Sequence, residues 1–275
     1  MIGKTAAYTI LKNEIKYIEK WLYYTKDFDY RVLLDTGSTD GSWKLLQDAA
    51  SKDANLIIEQ KTWDKWDFSV ARNYNLDMIP QDVDWCLSPD LDEYFSINVL
   101  DDMEIMLQHR PDVTNMSTTR LDLYTKEVFV GPPNQLPSNK IHKRHLYYWN
   151  SPIYEHLLHK EPEKEIELHL PNVYLIHDQD FKKTERSPLY LKMLIDEYIT
   201  NPTNLWTLWF LVNHYFTKQD LDNFIMTGCD FIRYHSTFDS KYKEVLGALT
   251  HMYKSGELTD DQKINIGKVI TGRSI

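Results

Sequence analysis

Asp84-Trp85-Cys86-Leu87-Ser88-Pro89-Asp90-Leu91-Asp92-Glu93 is the stretch on which the reading of the fold turns. Trp85-Cys86-Leu87 reads as a short buried strand, and it runs straight into an acidic cluster. Alternate residues of an extended segment point to one side, so Asp90 and Asp92 can face one cation. Carboxylate oxygens are hard ligands that suit Mg²⁺ or Mn²⁺, which reach a protein through one or two carboxylates plus substrate phosphates. Aspartate pairs also occur in ordinary turns, so the position at the end of a strand is what gives this one weight.

Upstream, the same arrangement repeats. Thr5–Leu11 reads as a strand, followed by polar Lys12-Asn13-Glu14 and then Ile15, Ile18, Trp21 and Leu22 at helical spacing. Tyr30–Leu34 is a second strand, ended by Asp35-Thr36-Gly37-Ser38-Thr39-Asp40-Gly41 and a helix with Trp43, Leu45, Leu46, Ala49 and Ala50 on its apolar side. Leu56–Glu59 is a third, followed by a helix that Ser69 caps. Strand–helix alternation implies parallel strands joined by crossover helices. In such sheets ligands collect at the carboxyl ends of the strands, where the polar clusters fall.

Each cluster permits some chemistry. Glycines allow a tight turn and a close approach of backbone to ligand, and Asp35 can accept hydrogen bonds from a base or a ribose hydroxyl. As a turn residue Asp35 is expected to be exposed and to matter little for stability. Arg72, on the first turn of its helix, can reach a phosphate with help from backbone N–H groups; a solvated arginine is the plain alternative.

Downstream, the chain alternates less clearly. Thr118–Tyr124, Val128–Val130 and Val173–Ile176 are β-like, and Gly131–Pro137 is a proline-rich loop. From Ser187 the pattern is helical only. The expected organisation is an α/β catalytic domain over residues 1–183 and a helical extension over 184–275.

Composition bounds the function classes. Apolar residues at 42% and charged residues at 26% mark a globular chain, and no apolar run is long enough to span a bilayer. Met1–Leu11 is too short and too soon interrupted to read as a signal peptide. The two cysteines, Cys86 and Cys229, form neither a metal-site spacing nor a disulfide framework, which fits a reducing, cytoplasmic setting. A net charge of −10 argues against wholesale coating of nucleic acid. A local basic patch remains open: Asn139–Trp149 carries Lys140, Lys143, Arg144, two histidines and three aromatics. Such a stretch suits a phosphodiester with stacked bases, or is simply a solvated hairpin.

Taken in order, Lys12-Asn13-Glu14, Asp35–Gly41, Trp66-Asp67-Phe68-Ser69 with Ala71-Arg72-Asn73, and Asp84-Trp85 leading into Asp90-Leu91-Asp92-Glu93 resemble the family 2 glycosyltransferases over about residues 4–95. These are inverting, metal-dependent enzymes of GT-A fold that commonly use UDP-sugars. The resemblance implies that Asn13, Glu14 and Asp35 hold the nucleoside and that Arg72 lies near the donor phosphates. It also implies that Asp90 and Asp92 serve ribose and metal, Asp92 as the metal ligand, and that His177 supplies a second metal ligand (Mn²⁺ or Mg²⁺). It points to Glu155, in Tyr154-Glu155-His156, as the general base, with Asp122 and Asp178 as substitutes. Two departures stand out: Leu91 sits where relatives carry a small residue, and Tyr-Glu replaces a common His-Glu. The acceptors implied are a glycan, a protein or a hydroxymethylated phage DNA base. A nucleotidyltransferase would more usually show a Gly-rich, basic loop after the first strand, which is absent here. A non-catalytic sugar-nucleotide binding protein would keep the donor site and lose turnover.

Overall fold

A computed structural model describes residues 2–124, 137–179, 188–234, 240–255 and 258–271. Expected elements at Val128–Val130 and most of the loop 131–137 lie outside these residues. So does the expected domain boundary near 183. The chain divides into two compact units, Met1–Thr184 and Glu185–Ile275.

In the first unit the strands are β1 (Lys4–Leu11), β2 (Tyr30–Asp35), β3 (Leu56–Gln60), β4 (Val83–Leu87), β5 (Glu93–Phe95), β6 (Asn115–Tyr124), β7 (Pro137–Lys143), β8 (Tyr147–Asn150), β9 (His156–His159) and β10 (Glu167–Gln179). The helices are α1 (Ile15–Tyr24), α2 (Ser42–Ala50), α3 (Phe68–Asp77) and α4 (Val99–His109). The main sheet has the order β3-β2-β1-β4-β7-β6-β10-β5, and β8 and β9 form a separate hairpin. Its first four strands are parallel; β7 runs against both neighbours, β6 and β10 are parallel, and β5 is antiparallel to β10.

The two faces of the sheet follow from the period of two. Ala7, Leu33 and Leu87 join Ile18, Trp21, Leu46 and Met103 in one core, against α1, α2 and α4. Their neighbours Ala6, Val32 and Cys86 point the other way, to Leu76 and Ile79 around α3 and to Trp149 of β8. Both faces are therefore apolar, which is why these strands read as near-continuous hydrophobic runs. Trp21 is fully buried, and truncating such a ring to Ala costs roughly 3–5 kcal/mol. Cys86 and Cys229 are free and buried.

The third helix starts two residues earlier than its sequence suggests. Asp67, not Ser69, is the cap: its Oδ1 accepts from the Val70 N–H at 3.1 Å and from the Ser69 hydroxyl at 2.7 Å. A carboxylate there also suits the positive end of the helix.

The second unit is helical: α5 (Pro188–Thr200), α6 (Leu205–Lys218), α7 (Leu221–Tyr234), α8 (Ser240–Ser255) and α9 (Asp260–Thr271). Asn204 caps α6 by accepting from the Trp206 and Thr207 N–H groups. Leu208, Leu211, Phe224, Phe231, Val245, Leu249 and Ile266 are among its buried apolar residues. Among the described residues no helix is long and apolar enough to cross a membrane.

Candidate active site

Polar side chains from α3, β4–β7 and β10 meet at the carboxyl end of β4. Arg72 comes from the buried side of α3, with Ala71, Asn75 and Leu76. Its guanidinium lies 4.8 Å from the centre of the Trp149 ring. Nε donates to Glu155 Oε1 at 2.5 Å and Nη2 to Asp90 Oδ1 at 2.7 Å. Arg72 is 7% exposed, so it is no solvated arginine. Nη1 is buried without a hydrogen-bond partner among the described residues. An orphaned guanidinium N–H is costly unless something accepts from it, and a phosphate oxygen is a suitable acceptor.

Asp90 is gripped from the other side as well. The Lys140 ammonium lies 2.7 Å from Asp90 Oδ2 and 2.5 Å from Glu93 Oε2, and Glu93 also accepts the Asp90 N–H at 3.0 Å. Desolvation would raise the Asp90 pKa, but Lys140 and Arg72 hold it well below the usual carboxylate range. The chain of charges continues: Arg120 lies 3.4 Å from Glu93 and 3.1 Å from Asp122, and Asp122 accepts from His177 Nδ1 at 2.9 Å. Arg120 Nη2 also lies against that nitrogen. Finally His177 Nε2 stands 3.4 Å from Asp92 Oδ2. Burial would lower the His177 pKa, and its contacts with Asp92 and Asp122 outweigh this and raise it.

Strand order explains these meetings. His177 pairs with Glu93 across the β10–β5 ladder and with Asp122 across β10–β6. The Asp178 N–H donates to the Asp92 carbonyl at 2.8 Å, which ties the acidic turn to β10. The Asp178 carboxylate, a substitute base on sequence grounds, is paired with Lys20 of α1 at 2.6 Å. Asp122, the other substitute, is engaged by His177 and Arg120.

The nucleoside candidates lie at the ends of β1 and β2. Asp35 corrects the expectation of an exposed turn carboxylate: it is fully buried. Its Oδ1 accepts from the Gly37 and Ser38 N–H groups at 2.8 and 2.7 Å, so it builds the turn. Oδ2 is buried and has no partner among the described residues, a place for a donor N–H or O–H. Gly37 has φ +102°, and a Cβ there would meet Thr62 Cγ2 at 2.8 Å. Asn13, itself at φ 56°, fastens the turn to β1: its N–H donates to Ser38 Oγ and its Oδ1 accepts from Thr39 N–H at 2.7 Å. The Glu14 N–H donates to Ser42 Oγ at 3.2 Å.

Glu155 follows a contorted loop. Ser151 and Tyr154 have φ 76° and 52°, a region that non-glycine residues enter at a cost and that clusters at functional sites. The loop is anchored where Asn73 bonds both the N–H and the carbonyl of Trp149, and where the Phe68 N–H donates to Pro152. The ion-pair partner of Glu155 is Arg72.

Much of the basic, aromatic stretch points inward. His142, Arg144, Tyr147 and Trp149 are buried. Arg144 donates to the Ile79 carbonyl, and Tyr8 hydroxyl joins His142 Nε2 at 2.8 Å to Trp149 Nε1 at 2.9 Å. These residues are packed into the fold, Trp149 against Arg72, and are not a surface on which bases stack. Burial, the larger effect, pushes the His142 pKa down to about 4, so its ring is neutral.

Whether Asp92 and His177 fit a metal can be tested on distance and chemistry. Two ligands of one Mn²⁺ or Mg²⁺, each at about 2.1 Å and near a right angle, stand about 3 Å apart. The 3.4 Å between Asp92 Oδ2 and His177 Nε2 fits that. Asp122 on Nδ1 supplies the carboxylate that commonly orients a metal-binding histidine. Among the described residues no group of three or more such ligands converges, so a metal here would draw its other ligands from substrate and water.

No family model matches the sequence, and no curated protein matches it. Solved structures do resemble it in three dimensions. Residues 1–349 of S. aureus TarS, in complex with UDP-GlcNAc, superpose with a TM-score of 0.57 at 16% identity, over 98% of this chain and 91% of that one. The chain spans 55% of a longer TarS chain, at a TM-score of 0.55 and 15% identity. The mannosyltransferase PcManGT from Pyrobaculum calidifontis, in complex with GDP-Man and Mn²⁺, gives 0.51 at 12% identity, over all of this chain and 82% of that one. The chain has the GT-A fold. At such identities the likeness is one of architecture, and the GT-A fold by itself assigns no chemistry. The fold brings Arg72 of α3, Glu155 of the β8–β9 hairpin, Asp90, Asp92 and His177 of β10 around one region, which local sequence patterns alone do not do.

Proposed function

We propose that the chain is a metal-dependent, inverting glycosyltransferase of the family 2 type, moving a sugar from a UDP-sugar to an acceptor hydroxyl. One observation carries the reading: Arg72 holds Glu155 and Asp90 together, while Asp92, two residues beyond Asp90, stands at metal-ligand spacing from His177 of β10. The complexes of TarS with UDP-GlcNAc and of PcManGT with GDP-Man support a nucleotide-sugar donor. The Mn²⁺ in the latter supports the metal.

In this reading Asp35 Oδ2 receives a donor group of the nucleoside and Asp90 a ribose hydroxyl. Arg72 Nη1 donates to the diphosphate. Asp92 and His177 hold Mn²⁺ or Mg²⁺, which when bound offsets charge on the departing diphosphate. Glu155 accepts the acceptor's hydroxyl proton as that oxygen bonds to the anomeric carbon; the sugar–phosphate bond breaks, and UDP leaves with the electron pair. The burial of His142, Arg144, Tyr147 and Trp149 removes support for a base-stacking surface there, so a glycan or protein hydroxyl fits better than a DNA base.

Tryptophan fluorescence titrations with UDP, GDP and CDP, each with and without Mn²⁺, test the donor site. Metal-dependent binding that favours UDP is expected; no binding of any nucleotide would dismiss the reading.

A further inference from the structure

Within the basic stretch Lys140 stands apart, because its side chain turns into the acidic cluster. Its carbonyl accepts the Ser88 N–H at 2.9 Å, so its backbone is anchored immediately beyond β4. Its ammonium meets Asp90 Oδ2 at 2.7 Å and Glu93 Oε2 at 2.5 Å. Arg72 takes the other Asp90 oxygen. Each oxygen of Asp90 therefore faces a fixed cation, and His177 Nε2 stands 3.4 Å from Asp92, two residues on.

We propose that Lys140 is a positioning residue that reserves Asp90 for the donor's hydroxyl groups and keeps the divalent ion on Asp92. Alternate aspartates of such a turn can both reach one ion, and nothing in their identity tells them apart. The ammonium guards Asp90: it fills the space beside Asp90 Oδ2 and repels a second cation there. A carboxylate oxygen that accepts one hydrogen bond retains a lone pair for a hydroxyl, so Asp90 still recognises a ribose while paired. Glu93, 1% exposed, cannot follow solvent if Lys140 is lost, so it holds the ammonium in place.

This rests on the donor-site reading above, and the test separates the two. Mn²⁺ binding to the UDP-saturated protein is counted by electron paramagnetic resonance, alongside donor KM and kcat. The wild type should bind one ion. Lys140→Met should bind a further ion, or the same one at least about tenfold more tightly, as Asp90 and Glu93 lose their counter-charge. Its donor KM should rise about tenfold or more with a smaller change in kcat, the pattern of lost ground-state binding. Lys140→Arg should restore both. Should Lys140→Met not fold, Lys140→Met with Glu93→Gln removes the unpaired buried charge, and its raised KM is the expected result. A folded variant, single or double, with wild-type metal count and KM overturns the proposal while leaving the donor site intact. A wild type that binds neither UDP nor Mn²⁺ overturns the donor-site reading and this inference with it.

Discussion

Arg72 joins Glu155 to Asp90 through two different nitrogens, Nε at 2.5 Å and Nη2 at 2.7 Å. The geometry orients Glu155 through Oε1, and in the proposed mechanism its second oxygen receives the proton. Glu155→Gln keeps shape and hydrogen bonding and removes basicity. Transfer should fall about 10²–10⁴-fold while UDP affinity holds. Near-normal transfer would place the base elsewhere.

Arg72→Lys keeps the charge but not the fork that reaches two carboxylates at once. The loss in kcat/KM should be about a hundredfold or more, with the circular dichroism spectrum unchanged. If lysine serves equally well, the bridging geometry is dispensable.

Asp35→Ala should weaken both fold and ligand binding. The variant leaves two backbone N–H groups of the turn unsatisfied, so urea unfolding should show a loss of about 1–3 kcal/mol. UDP affinity should fall beyond what the unfolded fraction explains. Unchanged affinity in the folded fraction would remove Asp35 from the nucleoside site.

The His142 ring carries a pH signature. Its folded pKa of about 4 lies below its ordinary 6.5, so the unfolded chain binds the proton more readily. Its contribution is fully present above pH 6.5 and is lost as pH falls towards 4, by about 3 kcal/mol in all. His142→Gln should lack that component, read as the difference between the two proteins' denaturation midpoints across this range. Parallel pH profiles would contradict a buried neutral histidine.

What could be read from the chain divides along a physical line. The strand–helix order through β4, and the polar clusters at Asn13, Asp35 and Asp90–Asp92, follow from local periodicity and turn residues. The linkage of Lys140, Glu93, Arg120, Asp122 and His177 does not. It depends on β7, β6, β10 and β5 lying side by side in an order unlike that of the sequence, and no local pattern records such pairing. Asn139–Trp149 misleads for a related reason. Its charges suggest a surface, yet Arg144 and His142 are absorbed by a backbone carbonyl and a tyrosine from distant segments. Asp35 looked like an exposed turn residue because a turn's composition does not reveal that its first residue ends a buried strand.

The central claim is that this site breaks a sugar–diphosphate bond with the help of a metal held by Asp92. Nucleotide release from a panel of UDP- and GDP-sugars, with Mn²⁺ and with a chelator, in wild type and Asp92→Asn, tests it most directly. UDP released from at least one UDP-sugar is expected, abolished by the chelator and reduced by orders of magnitude in the variant. Release that persists undiminished under chelation and in Asp92→Asn, or no release from any donor by a protein that binds UDP, would contradict it.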